Sequence, residues 1–496
     1  MASKSFLQPL DRTAIALMLV LMLLIGLVIS SGDRTSPRVR NFSWQDKQVG
    51  AEDTSFILSF SRPMDHTSVE ASLKIEPLLP GKVSWSGRRM AYTLTSPAPY
   101  GTEYTLRLDG ARDQVQGQGK KEPGRLIQPF VGQFHSRDRA FAYIGVDGEE
   151  KGRLVLYNLT RNQKNLLTPK ELVVSDFKPY PNGDRILFFA ADWMSQKPGV
   201  FDQKLYTVTT GINPQSPGKP EVQPEFAGRI NAVLDSKDYQ NMKFDLSADG
   251  QVIAVQRVKR NNPAEFGVWI IRPEAKPQPL QNQPGGDFLI TPDSASLAIA
   301  QGEGIAILPL TPSAKPLDFL PKFGNVLSFS RDGQAAAMVK FNTDYTRSLF
   351  LVTNQGVQKE LLSTKGSILN ALFDPQKETV YCLLTQLVEG EQYQEQPYLA
   401  AIDLKTAKVL SLWALPNQRD TQMSLSPDGL ALLFDQVVTT GNLPTADSLT
   451  TDEGQAIATS SLWLLPLSTS TPQNGTPTAQ QAEQLPLPGF HPRWLP

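Results

Sequence analysis

The side chains that could perform chemistry are few in this sequence and lie far apart. His66, His135 and His491 are its three histidines, and Cys382 is its one cysteine. A histidine base needs a nucleophile and an orienting carboxylate beside it, and this scatter indicates no such triad. Cys382 lies in the apolar run TVYCLL, which predicts a small buried side chain. A single cysteine also excludes internal disulfides and cysteine-ligated zinc or iron–sulfur centres.

Short motifs add no catalytic machinery. Ser175 and Lys178 have the Ser-x-x-Lys spacing of some acyl-transfer enzymes, but they precede a predicted strand instead of opening a helix. The stretch from Gly117 to Lys121 has the composition of a phosphate-binding loop with the wrong spacing. The Asp-Gly pairs lack the alternating oxygen ligands of a calcium loop. We therefore predict no catalytic, cofactor-binding or metal-binding residue, no cofactor and no enzymatic activity.

The composition is that of a folded protein with balanced charge. The chain has 496 residues, of which 40% are hydrophobic, with 48 Lys and Arg against 49 Asp and Glu. These proportions are typical of globular domains. The balance gives no overall attraction to nucleic acid, so we expect no nucleic-acid partner.

The amino-terminal segment indicates a membrane. Thr13–Ser30 reads TAIALMLVLMLLIGLVIS, 18 residues without a charge. A helix of this length covers about 27 Å, close to the roughly 30 Å hydrocarbon core of a bilayer. We predict that residues 1–32 form a cytoplasmic stub and a transmembrane signal-anchor, with membrane contact through residues 13–30. A cleaved signal peptide, with Val28 and Ser30 as its cleavage site, is the alternative, although its apolar core is usually only about 7–15 residues.

Residues 38–138 alternate between apolar and polar positions in short runs separated by turns. About seven short strands in such a length, without helical periodicity, predict a β-sandwich. The clearest runs are Thr54–Phe60, Val83–Trp85, Met90–Leu94, Glu103–Leu108 and Phe130–His135.

Two motifs in this region resemble the bacterial Ig-like domain first seen in S-layer proteins of the SbsA type. Ser59-Phe60-Ser61 followed by Pro63-Met64-Asp65 is similar to the strand and turn that open that domain. The stretch from Pro99 to Thr105 is similar to its P-x-L-x-x-G-T-x-Y-T-V segment. The closing Gln133-Phe134-His135 departs from the family's WSFTT. The resemblance implies an extracytoplasmic spacer or adhesive domain and not an enzyme.

A repeat fills residues 140–496. An apolar strand, a turn containing Pro, Asp or Gly, and a second apolar strand recur from Asp176, Phe244, Phe288, Leu327, Ala371 and Met423. A third strand follows each pair. From Ala248 onward the turns are separated by 44, 39, 44 and 52 residues. Four strands every 40–50 residues predict a β-propeller, and the Asp-Gly pairs predict two-residue hairpins with positive φ.

The two ends of this region each lack part of a blade. The tail Phe490–Pro496 looks like an opening strand with no blade after it, and the region begins at Phe141 without such a strand. We predict that the tail pairs with Phe141–Val146 and closes a ring of seven blades, which removes the exposed sheet edges. The repeat resembles the TolB-type, WD-like propeller. TolB itself carries an α/β domain ahead of its propeller, so its partners are not implied here.

Long polar loops and several aromatic residues are predicted at the ends of the blades. The predicted loops are Trp193–Gln203, Gly211–Asn231, Thr385–Gln396, Thr439–Ser460 and Ser468–Ala482. Such loops bind partners or are disordered, and Ser468–Ala482 is expected to be disordered. The aromatic residues beside turns are Tyr180, Trp193, Phe201, Tyr239, Phe266 and Tyr345.

The expected fold is therefore all-β, an Ig-like sandwich and a seven-bladed propeller behind one transmembrane helix. The expected function is that of a membrane-anchored, extracytoplasmic scaffold of the bacterial cell envelope. It would lie in the inner or another internal membrane and bind a protein partner through the propeller face or loops. The alternative is a propeller enzyme or carbohydrate-binding protein with its site in the central channel. Attachment to the envelope through the sandwich is a third possibility.

Overall fold

A computed structural model describes residues 9–30, 35–114, 124–193, 202–212, 225–280, 285–311, 318–388, 394–415, 420–440, 444–445, 448–451, 454–467 and 481–496. Its helices are α1 (Pro9–Ser30), α2 (His66–Ser72) and a single 3-10 turn at Gly148–Glu150. The rest of its regular structure is strand, which confirms the predicted all-β class.

Helix α1 covers the segment predicted to enter a membrane. Its side chains are described from Thr13 to Gly26, and they are exposed. Among the residues that the structure describes, no helix reaches both the length and the hydropathy that a membrane crossing needs. The predicted transmembrane span over residues 13–30 thus stays a prediction from the sequence.

The first eight strands form two four-stranded sheets. They are β1 (Val39–Phe42), β2 (Gln48–Val49), β3 (Ser55–Phe60), β4 (Leu73–Glu76), β5 (Gly81–Ser86), β6 (Arg89–Leu94), β7 (Glu103–Leu108) and β8 (Phe130–Ser136). The sheet orders are β1-β3-β6-β5 and β2-β8-β7-β4. Both contribute to one apolar core, in which the rings of Phe42 and Phe134 lie 6.0 Å apart. We call this unit the sandwich; its assignment to the Ig-like family stays a prediction.

One element of the sandwich contradicts the sequence analysis. Helix α2 forms where only strands were expected. The Asp65 side chain accepts a hydrogen bond from the Ser68 amide at 3.0 Å and so caps the first turn. Seven residues are too few to show helical periodicity, so the capping residue is the only local signal.

Seven further four-stranded sheets follow and form the blades of a propeller. Blades two to seven each consist of four consecutive antiparallel strands, β12–β15, β16–β19, β20–β23, β24–β27, β28–β31 and β32–β35. The strands of blades two to four are β12 (Leu172–Pro179), β13 (Arg185–Asp192), β14 (Lys204–Thr209), β15 (Ile230–Leu234), β16 (Tyr239–Leu246), β17 (Ile253–Lys259), β18 (Asn262–Ile271), β19 (Gln278–Pro279), β20 (Phe288–Ile290), β21 (Ser296–Gln301), β22 (Gly304–Pro309) and β23 (Asp318–Pro321). Those of blades five to seven are β24 (Asn325–Phe329), β25 (Ala335–Phe341), β26 (Arg347–Thr353), β27 (Gln358–Thr364), β28 (Ile368–Phe373), β29 (Thr379–Val388), β30 (Gln394–Asp403), β31 (Val409–Ala414), β32 (Met423–Leu425), β33 (Ala431–Thr439), β34 (Ile457–Pro466) and β35 (Glu483–Gln484).

The first blade joins the two ends of the region. Its strands are β9 (Ala140–Gly145), β10 (Leu154–Asn158), β11 (Gln163–Leu166) and the last strand of the chain, β36 (Gly489–Trp494). Strand β36 is the inner strand, pairing Phe490 with Ile144 and Trp494 with Phe141. The Phe141 and Trp494 rings meet edge to face at 5.5 Å. The predicted pairing of the tail with the start of the region is confirmed.

The propeller has two faces. The turn face carries the connections between first and second strands. The hairpin face carries the connections between second and third strands. On the turn face each repeat turn spans four residues, and the amide of the fourth bonds to the carbonyl of the first, as from Gly250 to Ser247 at 2.9 Å. Only the fourth residue has positive φ, at Gly183, Gly250, Ser294, Gly333, Lys377 and Gly429. The predicted two-residue hairpins are therefore wrong, because the strands need two more residues to reverse direction.

Candidate binding site

The turns of the turn face form a ring around the channel, and side-chain hydrogen bonds between serine and aspartate hold those of blades three, five and seven. The Ser426 hydroxyl donates to Asp428 Oδ1 at 2.6 Å and accepts the Ala431 amide at 3.0 Å. Ser247 with Asp249 and Ser330 with Asp332 repeat the first contact at 2.6 and 2.8 Å. The Ser-x-Asp-Gly sequence thus satisfies its own polar groups, and this arrangement fixes the mouth of the channel.

Inside the ring lies a cavity of about 710 Å3. The ends of the inner strands line it from every blade, and residues Ala51, Glu52 and Tyr100 line it from the sandwich. The cavity is therefore the mouth of the central channel with the sandwich as part of its wall.

Charged side chains project into this channel from otherwise apolar strands. Lys178 of β12 pairs with Asp245 of β16, whose other oxygen accepts the Ile290 amide of the next blade at 2.7 Å. Arg493 of β36 pairs with Asp176 of β12 at 3.0 Å. Because each charge bridges two neighbouring blades, the network ties the blades together and neutralises itself.

One further lysine belongs to this network. Lys243 of β16 pairs with Asp287, at the start of blade four. Loss of water lowers the pKa of Lys243, and the negative charges of Asp245 and Asp176 oppose that effect. The described residues include no group of three or more His, Cys, Asp or Glu placed to hold a metal ion.

The sandwich docks on the turn face through buried contacts. The Tyr100 amide donates to Asp428 Oδ2 at 2.9 Å, and Arg139 lies 3.8 Å from the same carboxylate. Glu52 pairs with Arg137 of the sandwich and lies 3.7 Å from Arg331 of a blade-five turn. These contacts place the sandwich over part of the channel mouth.

Tyr100 is the centre of this junction. Its hydroxyl oxygen accepts the Ala51 amide at 3.0 Å. Burial raises the pKa of Tyr100 to about 12, against the opposing charge of Arg137. The phenol therefore stays neutral at physiological pH and acts as a structural contact. The sequence analysis missed Ala51, Glu52 and Tyr100 as propeller contacts, since Tyr100 had a signal only as part of the Ig-like motif.

The structure does not assemble the chemically notable residues of the sequence. His66 stacks on Trp85 in the sandwich with ring centroids 4.1 Å apart, and His135 lies in β8, also in the sandwich. His491 lies in β36 and lines the channel. Cys382 is buried in β29, where desolvation raises the pKa of its thiol. Of the Ser-x-x-Lys pair, Lys178 pairs with Asp245, and both residues lie within a strand.

The hairpin face differs from its prediction in the lengths of its strands. Strands β29 and β30 stay paired as far as Val388 and Gln394, so most of the predicted loop Thr385–Gln396 is a long hairpin. On the same face β34 begins inside the predicted loop Thr439–Ser460, and on the turn face β15 begins inside the predicted loop Gly211–Asn231. These segments extend beyond the core, so their sequences lack the apolar run expected of a strand. Residues 468–480 of the predicted loop Ser468–Ala482, residues 194–201 and the aromatic Phe201 lie outside the described residues.

Two aromatic side chains stand exposed on the hairpin face. Tyr345 is 92% exposed and Phe341 is 60% exposed, at the connection between β25 and β26. Phe226 is 94% exposed on the turn face, in the connection between β14 and β15. Tyr180, by contrast, is buried among the turns.

Comparisons with known proteins do not assign this chain to a family. No protein-family model and no curated protein matches the sequence. Among solved structures, TolB from Acinetobacter baumannii is similar, with 12% identity, a TM-score of 0.39 and coverage of 86% of this chain and 83% of that one. A putative 6-phosphogluconolactonase from Bacteroides uniformis has 10% identity, a TM-score of 0.43 and coverage of 72% and 99%. Oligogalacturonate lyase from Vibrio parahaemolyticus has 10% identity, a TM-score of 0.42 and coverage of 57% and 79%. Likenesses this distant carry no argument about function.

Proposed function

We propose that this protein is a membrane-anchored, extracytoplasmic scaffold of the bacterial cell envelope that binds a protein partner through the hairpin face of its propeller. Helix α1 is the anchor, and the sandwich, of Ig-like type, is the spacer. The observation that carries the proposal is the docking of the sandwich on the turn face by the buried Tyr100–Asp428 contact. A partner approaching the propeller therefore finds the hairpin face open.

The channel charges favour binding over catalysis. Lys178, Asp245, Arg493 and Asp176 are engaged with one another across blade boundaries. A general base or nucleophile has to be available to the substrate, and these groups hold the blades instead. On the hairpin face, by contrast, the Tyr345 side chain is 92% exposed.

The channel mouth supports one alternative function. A cavity of about 710 Å3 with Lys178, Arg493 and His491 in its lining is large enough for a small ligand such as a sugar. Saturable binding of such a ligand, lost on substitution of Arg493 by Met and retained on substitution of Tyr345 by Ser, would favour this alternative.

The test of the scaffold proposal compares the two faces in one capture experiment. Tagged full-length protein is purified from its native membranes in mild detergent beside a double variant of the hairpin face, Phe341→Ser with Tyr345→Ser. Phe226→Ser, an equally exposed aromatic on the turn face, is the matched control. We expect a stoichiometric partner with the wild type and the control, and at least about a tenfold loss with the double variant, which corresponds to about 1.4 kcal/mol. Equal recovery from all three proteins, or recovery of the protein alone, contradicts the proposal.

Membrane anchoring has its own measurement. The full-length chain should sediment with membranes and resist carbonate extraction, whereas a chain lacking residues 1–32 should not. Release of the full-length chain by carbonate would contradict the anchor without bearing on the partner surface.

A further inference from the structure

An arginine near the hairpin face is buried, and it has no carboxylate partner in the part of the chain that the structure describes. Arg257 lies in β17 with 5% of its surface exposed. Its Nε donates to Asn241 Oδ1 at 3.0 Å. Within the described ranges of the chain, no Asp or Glu oxygen lies within the 4.0 Å of an ion pair with it. A guanidinium has five N–H donors, and buried charges are normally paired. Here only Nε has a hydrogen-bond partner among the described residues, and the remaining N–H groups reach the surface.

The basic residues at the end of this strand and directly after it are paired. Arg260 bonds to Asp202 at 2.8 Å and to the Ser236 carbonyl at 2.7 Å. Lys259 bonds to Glu265 at 2.7 Å. The missing partner is therefore specific to Arg257 and does not reflect a lack of acidic residues nearby.

The surroundings hold the guanidinium in one orientation. Its Cζ lies 4.4 Å from the centre of the Tyr239 ring and 5.2 Å from that of Trp269. Those two rings meet edge to face at 5.1 Å. Asn241 is fully buried and donates to the carbonyls of Gln203 and Asp235, which turns its oxygen toward Arg257. An arginine fixed by two aromatic rings and an amide is pre-organised to bind a planar, bidentate acceptor.

A glycine leaves room beside this arginine. Gly267 of β18 is the cross-strand partner of Arg257, so a side chain there would share its face of the sheet. A Cβ on Gly267 would meet no atom of the described residues within 4 Å. In five other glycines of the described strands a Cβ would fall within 2.7 Å of another atom; they are Gly81, Gly132, Gly145, Gly304 and Gly489. Packing demands a glycine at those positions but not at Gly267, where a side chain would enter open space beside Arg257. We call this open space the slot.

We infer that Arg257, Tyr239, Trp269 and the slot at Gly267 form a carboxylate-binding site that takes an Asp or Glu side chain of the protein partner. The inference rests on the proposed function for the source of the carboxylate. A singly charged carboxylate matches the fork of the guanidinium, and the two rings flank its aliphatic stem. The nearby carboxylates of Asp235 and Asp238, which interact electrostatically with Arg257, disfavour a doubly charged phosphate.

The test measures peptide binding to the full chain in detergent. The probes are acetyl-Ala-Glu-Ala-amide and its neutral match acetyl-Ala-Gln-Ala-amide, followed by saturation-transfer NMR at fixed ionic strength and pH 7. We expect saturable binding of the Glu peptide and at least about tenfold weaker binding of the Gln peptide, since each good charge-assisted pair is worth about that much. Equal binding of the two peptides overturns the inference.

Three variants locate the binding. Gly267→Leu adds a side chain where a Cβ meets no described atom within 4 Å, so we expect it to keep the melting temperature and to lose at least about tenfold in Glu-peptide affinity. Arg257→Met should lose as much. Arg260→Met, which alters a paired arginine directly after the same strand, should bind as the wild type does. A folded Gly267→Leu protein with unchanged affinity overturns the inference even if Arg257→Met fails to fold.

Two further results separate this inference from the proposed function. Free acetate that competes as strongly as the peptide at equal concentration would assign the site to small carboxylates and overturn its assignment to a protein side chain. A partner captured through Phe341 and Tyr345 by a protein that ignores the Glu peptide would sustain the proposed function and refute this site. Glu-peptide binding without any captured partner would refute the proposed function and sustain the carboxylate-binding site.

Discussion

The two faces of the propeller are built on different rules. On the turn face a four-residue turn recurs in blades two to seven. In blades three, five and seven a serine hydroxyl in this turn donates to an aspartate two residues later, as at Ser330 and Asp332. On the hairpin face the connections differ in length from blade to blade, Tyr345 stands exposed, and Arg257 is buried with no carboxylate partner in the described part of the chain. A turn repeated in six blades answers a need that these blades share, which is closure of the ring. A residue found in one blade alone answers a local need, and recognition is such a need.

The largest expected effect is on ring closure, which both faces require. A chain ending at Pro488 lacks β36, including Phe490 and Trp494, which are 3% and 6% exposed. Loss of one such ring usually costs about 3–5 kcal/mol, and a domain has only about 5–15 kcal/mol in all. We expect no cooperative melting transition by circular dichroism and an aggregated profile in size-exclusion chromatography. The Phe226→Ser protein is the control and should melt as the wild type does. A shortened chain that also melted as the wild type does would show that β36 is dispensable.

The next largest effect is a loss of stability that is greater in the turn contacted by the sandwich than in an equivalent exposed turn. Asp428 has a side chain only 1% exposed and accepts the Tyr100 amide, whereas Asp249 occupies the same place in an exposed turn. Asp428→Ala should cost about 3 kcal/mol, because it leaves buried donors without an acceptor. Asp249→Ala should cost about 0.5–1 kcal/mol.

Urea denaturation measures both losses, and trypsin cleavage at Arg137 and Arg139 reports release of the sandwich. We expect faster cleavage in Asp428→Ala only. Equal losses of stability in the two variants would mean that the sandwich contact contributes nothing and that the turn face is as open as the hairpin face.

The success of the sequence analysis follows the range of the interactions. The positions of the repeat turns, although not their length, were predictable because Ser247, Asp249 and Gly250 bond to one another within four residues. Closure by β36 was predictable because an unpaired opening strand is visible as a missing repeat. Helix α2 and the β29–β30 hairpin were missed because their local patterns are short or only partly apolar.

The candidate sites were not predictable in the same way. The Tyr100 amide and the Asp428 carboxylate are separated by 328 residues, and no local pattern links them. Arg257 is distinguished by the partner it lacks, which only the folded arrangement reveals. The available signal was a charged residue within an apolar strand, as with Asp176, Asp245 and Arg257 themselves.

The smallest expected effect is the pH dependence of the repeat turns. Partial burial alone would raise the pKa of Asp332, but hydrogen bonds from Lys377, Ser330 and the Gln334 amide outweigh it and hold that pKa below its usual value. A depressed pKa in the folded state stabilises the fold above the unfolded value of about 3.9, and this stabilisation is lost as the pH falls through the folded value.

Comparison of the wild type with Asp332→Asn isolates this contribution to the free energy of unfolding. We expect an advantage of about 0.5 kcal/mol for the wild type between about pH 5 and pH 7, allowing for solvent screening, in urea denaturation. The advantage should begin to decline below about pH 5 and vanish only once the pH lies below the depressed pKa of the folded state, as the carboxylate takes up its proton. In high salt it should shrink only in part, because the Ser330 and Gln334 hydrogen bonds are short-ranged while the Lys377 charge is screened. A stability advantage of the wild type that stayed constant down to low pH would show that the backbone alone holds the turn. The side-chain hydrogen bonds of the turns would then not distinguish this face from the other.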